Sequence, residues 1–138
     1  MTRRALILLA LIAAPLPAAA SAEAAEELIA VPSGQPVSLI ESIIGQPGAG
    51  GLTARFRFLA PQIARETGTI TFAEAEPDML HLCESYALPR LAVPGPQVSQ
   101  VIISLSDRVV PLGQVAPEAT QFFEAYRPEG ERCIWEGF

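Results

Sequence analysis

Few side chains in this sequence can do chemistry, and two of those lie almost side by side. Cys83 and Cys133 are the only cysteines, and His81, the only histidine, stands two residues before the first. Three chemistries could use them: a Cys/His nucleophilic pair, a metal centre or a disulfide. Residues two apart on a helix point about 200° from one another, so His81 faces away from Cys83 and the nucleophilic pair is disfavoured. Together the three side chains would supply the ligand number of a catalytic zinc site. Neither a Cys-x-x-Cys nor a His-x-x-x-His spacing is present, however, and no metal is expected. Two cysteines in an exported chain point instead to one disulfide, because the compartment is oxidising. Bridging Cys83 to Cys133 would close a loop of about 50 residues, stabilise the fold by about 4 kcal/mol and pin the tail carrying Ile134 and Trp135.

Around His81, Asp78 and Glu84 lie three residues to either side, which allows an acid–histidine–acid row on one helix face. Such a row could sense pH, hold a metal weakly or act as the acid–base pair of a small hydrolase. The plainer reading, a solvated face with ordinary charges, is preferred. Arg55 and Arg57, with Arg90, could grip an anionic ligand by paired hydrogen bonds, although arginines on an exposed strand face are commonly just solvated. The glycine-rich "GQPGAGG" (45–51) lacks the Lys-Ser/Thr of a phosphate-binding loop and reads as a hairpin tip. "SLSDR" (104–108) has no nucleophile elbow around its serines and reads as a strand entering a polar turn. No catalytic residue and no cofactor are assigned.

The elements that must position these residues predict an α+β fold, a small mainly antiparallel sheet with two helices packed on one face. "VSLIESII" and "LTARFRFLA" flank the glycine-rich loop as a hairpin. In the second strand Leu52, Ala54, Phe56 and Phe58 alternate with Thr53, Arg55 and Arg57, the period of a half-buried strand. "GTITFAE" (68–74) is expected as a short third strand. Pro77 then opens a helix to about Ala87, whose Met79, Leu82, Cys83 and Tyr86 form a buried stripe, and Pro89 ends it. "VSQVIISLS" is a strand by its Val and Ile content. A turn at Asp107-Arg108 returns it through "VVPLG" as an edge strand. Pro117 opens a second helix, "PEATQFFEAYR", with Ala119, Phe122, Phe123 and Tyr126 as its apolar stripe.

The chain has 138 residues and opens "MTRRALILLALIAAPLPAAASAEAAEE". Two arginines, an apolar run of about ten residues and a small-x-small close at Ala20-Ser21-Ala22 read as a Sec-type signal peptide over residues 1–22, cleaved after Ala22. That run is too short to span a bilayer, so no stable membrane span is expected after cleavage. Residues 23–35 read as a flexible leader and 36–138 as a single domain, located in the periplasm or secreted. Cleavage leaves 7 basic against 15 acidic side chains. This balance argues against nucleic acid, which rewards clustered positive charge.

Four stretches, "VPSGQPVSLIE", "RFRFLAP", "IISLSDR" and "EATQFFEAYRPEGERCIWEGF", resemble a family of small exported alphaproteobacterial proteins, a domain of unknown function. The resemblance implies a secreted single domain and carries no activity with it. The leading expectation is a non-catalytic binding or accessory protein, using an edge strand or the arginine-bearing sheet face to meet a small ligand or an envelope protein. The alternatives are a small periplasmic hydrolase built on His81 and a structural subunit of an envelope complex.

Overall fold

A computed structural model describes residues 27–92 and 97–137, together with 13–15 and 95. The signal peptide expected over residues 1–22 lies outside the described residues except for 13–15. Five strands form one sheet in chain order: β1 (Ser38–Gly48), β2 (Gly51–Leu59), β3 (Gln100–Ser106), β4 (Gln121–Glu129) and β5 (Arg132–Glu136). The sheet is mixed, because β2 and β3 run parallel while the other neighbours are antiparallel. Parallel neighbours need a long crossover. Here the crossover carries one helix, α1 (residues 72–91), built of an α-helical part Phe72–Leu82, a π-helical stretch Cys83–Ala87 and a last turn Leu88–Leu91. A short 3-10 turn, Pro61–Ile63, precedes it.

The expected architecture is therefore corrected: among the described residues one helix covers the sheet, not two. Residues 121–127, most of the expected second helix, belong instead to β4 (Gln121–Glu129). Both periods fit that stretch, since Phe122, Phe123 and Tyr126 have helical spacing while Phe122, Glu124 and Tyr126 share one face of a strand. Glu124 hid the alternation because it is a carboxylate on the buried side. Bulky aromatic residues and an unpaired edge on β3 decide for the strand.

The strand expected over 68–74 is absent: residues 68–71 lead into α1, which begins at Phe72. Thr71 caps that helix: its hydroxyl accepts from the Glu74 N–H at 3.3 Å, while the Glu74 carboxylate accepts from the Thr71 N–H at 2.8 Å. This Thr-x-x-Glu capping box starts the helix five residues before Pro77, which lies inside it. Pro89 does not end the helix either. Its ring would press on the Ser85 carbonyl four residues back. The π stretch widens the turn, and the Leu88 N–H bonds to the Cys83 carbonyl five residues behind. The edge strand expected at "VVPLG" is absent, and residues 107–120 form a loop between β3 and β4.

On the face under α1, Ala54, Phe56 and Phe58 of β2 stand beside Val101, Ile103 and Leu105 of β3. All six are sealed from solvent against Met79, Leu82, Cys83 and Ala87 of the helix. Tyr86 meets Phe56 and Phe58 edge-on, with ring centroids 6.2 and 5.4 Å away. Each large apolar side chain buried this way contributes about 1.5–3 kcal/mol. Cys83 and Cys133 form a disulfide with their Cα atoms 6.3 Å apart, tying α1 to β5. The stretch read as a flexible leader is described from residue 27 and is fastened to the domain. The Ile29 N–H donates to the Val37 carbonyl at 2.8 Å, and Val31 and Gln35 are buried.

Candidate functional site

The acid–histidine–acid row does not assemble. Asp78 is fully buried. Its carboxylate accepts from the Ser33 N–H at 2.8 Å, from the Ser33 hydroxyl and from the Gln35 amide at 2.7 Å, so it holds the incoming chain against α1. Glu84 accepts from the Cys133 N–H at 3.1 Å, beside the disulfide. His81 is half-buried, with Nδ1 3.5 Å from the Ser85 hydroxyl. Among the described residues no ion pair joins His81 to either acid, and no cluster of His, Cys, Asp and Glu is suited to a metal.

The three arginines separate as well. Arg90 lies on α1, its guanidinium 3.4 Å over the Tyr86 ring and its Nη1 donating to the Tyr86 carbonyl at 3.0 Å. Tyr86 packs on the Phe56/Phe58 side of the sheet, so strand alternation puts Arg55 and Arg57 on the opposite side. Among the described residues that side carries no helix. It is roofed only by the 107–120 loop, which leaves a concavity of about 420 Å³ lined by Arg55, Arg57, Ser104, Leu112, Gln121 and Phe123. Pockets that hold small ligands begin at about this size.

Register explains why the two arginines behave differently. Arg57 is opposite Glu41 on β1 and Ser104 on β3, and Ser104 in turn faces Phe123 on β4. Arg57 is buried, ion-paired with Glu41, and donates to the Val110 carbonyl of the roof. It is a structural clamp. Arg55 lies in the next row, between Ile43 and Ile102, with Ala125 beyond. It is half-buried, and among the described residues it has neither a hydrogen-bond nor an ion-pair partner. A guanidinium partly stripped of water and left unpaired is costly until an anion meets it.

The roof is itself anchored through Asp107. Its Oδ1 accepts from the Thr120 N–H at 2.8 Å and its Oδ2 from Arg108 at 3.1 Å, while the Ser106 hydroxyl donates to the Arg108 carbonyl at 2.6 Å. Burial alone would raise the Asp107 pKa, but the Arg108 guanidinium and the Thr120 N–H outweigh it and hold the carboxyl below the ordinary aspartate value.

Sequence reasoning pointed to Arg55 and Arg57 through the period-two pattern, but it missed Phe123, Ser104 and Gln121 as their companions. The helical reading of 117–127 removed β4 from the sheet and with it the wall opposite the arginines. The strand spacing of Gln121, Phe123 and Ala125 was the available signal.

The chain belongs to a family described only as a family of unknown function, DUF6497, whose model matches residues 10–138. No curated protein and no solved structure matches it. Among the described residues no helix is long and apolar enough to cross a membrane.

Proposed function

We propose that this protein is an exported, non-catalytic binding protein that takes a small ligand with an anionic head and an apolar body on the helix-free face of its sheet. The observation that carries the reading is Arg55, half-buried in an apolar row and without an ion-pair partner among the described residues, beside a concavity of ligand size. A carboxylate or phosphate can accept two parallel N–H bonds from such a guanidinium. Arg57, already clamped by Glu41 and the Val110 carbonyl, fixes the floor. Ser104 and Gln121 offer further polar contacts, while Ile102, Leu112 and Phe123 offer an apolar wall. Export is supported by the basic start, the short apolar run and Ala20-Ser21-Ala22, and by a disulfide that an oxidising compartment preserves. The periplasm or the exterior of the cell is the expected location.

Benzoate and its neutral isostere benzamide test the site by isothermal titration and by amide chemical-shift mapping. Benzoate should shift the amides of β2, β3 and the 107–120 loop, and benzamide should not. Arg55→Ala should weaken benzoate at least about tenfold, the worth of one charge-assisted bond. Equal binding of the two compounds, or of benzoate to wild type and Arg55→Ala, would overturn the reading.

A further inference from the structure

A second groove lies on the other face, between α1 and the last two strands. It holds about 580 Å³ and is lined chiefly by Glu76, Pro77 and Leu80 from the helix and by Glu124, Tyr126 and Trp135 from β4 and β5. Tyr126 and Trp135 are cross-strand partners, and Glu124 shares their face. This groove is acidic and aromatic where the arginine site is basic.

Three of its side chains are unusual. Glu124 is only 7% exposed, yet no cation pairs with it among the described residues. Its one hydrogen-bond partner among the described residues is neutral, the Trp135 indole N–H donating at 2.5 Å. Tyr126 is only 3% exposed, and its hydroxyl has no partner among the described residues. Tyr126 lines the groove together with Glu124 and Glu76, the carboxylates whose charges act most strongly on its hydroxyl. Trp135 is 63% exposed, a large aromatic surface left at the rim. Burial, followed by the carboxylates of Glu124, Glu76 and Glu84, pushes the Tyr126 pKa far up, so the phenol keeps its proton and the local field is negative.

We infer that this groove binds an organic cation, an amidinium, guanidinium or alkylammonium head on a short apolar body. Residues two apart on a strand face are separated by about 7 Å. One nitrogen-bearing head can therefore sit between the Glu124 carboxylate and the Tyr126 oxygen and donate to both. Glu76 adds negative charge at the mouth, and Trp135 offers its ring to the cation and its body. Leu80 and Pro77 close the apolar side. The site shares no residue with the arginine face and stands whether or not that face binds anions.

Trp135 is the only tryptophan in the chain, so its fluorescence reports this groove alone. The experiment titrates the disulfide-intact protein with benzamidine, benzamide and benzoate. Benzamidine should change Trp135 emission saturably, while benzamide and benzoate should not. Glu124→Gln should weaken benzamidine at least about tenfold. Tyr126→Phe, which removes only an unpartnered hydroxyl, should weaken it about threefold, and Glu76→Gln, at an exposed position, about twofold. If benzamide binds as well as benzamidine, the groove is merely apolar and the inference fails. It fails equally if a folded Glu124→Gln binds benzamidine as wild type does. Should Glu124→Gln not fold, unchanged affinity in both Tyr126→Phe and Glu76→Gln overturns it.

Discussion

The two faces of the sheet are built from the same strands and do opposite work. On β2, Phe56 and Phe58 point under α1 into a dry core, while Arg55 and Arg57 point the other way beneath a loop. The helix side is held by apolar burial and a disulfide. The loop side is held by polar ties, namely Arg57 to the Val110 carbonyl and Asp107 to Thr120 and Arg108. The contrast teaches that fold stability sits mainly in the core under α1, which leaves the loop side, like the groove at the far edge of the helix side, free to carry a charge that a stability-optimised surface would have neutralised.

Substitutions can break that contrast. Phe56→Ala should cost the most, about 4 kcal/mol in urea unfolding, because it opens a cavity in the core. Asp78→Ala should cost about 2 kcal/mol by leaving the buried Gln35 amide without its acceptor, and hydrogen exchange should show residues 27–37 loosened. On the loop side, Arg57→Ala should cost about 1 kcal/mol and free the roof. Arg55→Ala should change stability by no more than about 0.5 kcal/mol in either direction while weakening anion binding at least about tenfold. If Arg55→Ala proved as destabilising as Phe56→Ala, the division between the faces would be wrong.

The smallest expected effect is that of pH on the roof. Because the folded-state pKa of Asp107 is depressed, its contribution is fully present above the ordinary aspartate value and is lost as pH falls through the folded value. Amide signals of residues 107–120 should thus loosen on acidification before those of β2 and β3. Asp107→Asn should remove that pH dependence.

The parts of this division legible from sequence were those where one pattern dominated. β2 was readable because seven residues, Leu52 to Phe58, alternate in type without a break, and the helix stripe because Met79, Leu82 and Cys83 keep their helical spacing up to the π stretch. Pairing the only two cysteines was a matter of compartment chemistry. The failures had specific causes. At 121–126 a buried glutamate broke the apolar alternation and left helical spacing as the better apparent match. At 70–74 β-favouring residues, Ile70, Thr71 and Phe72, outweighed a capping box that was present in plain sight. The proline rules failed at Pro77 and Pro89 because burying the helix stripe against the sheet is worth more than the backbone bonds lost.

The bond between Cys83 and Cys133 also has a topological meaning. It encloses β3, the roof loop, β4 and the hairpin to β5 within one covalent ring. A protease nicking the roof anywhere between residues 109 and 118 would linearise that ring without producing two separate molecules. The damaged protein would gain only the mass of one water and keep both groups of strands until a reductant arrived, so clipping at the ligand side and disassembly would be separate events.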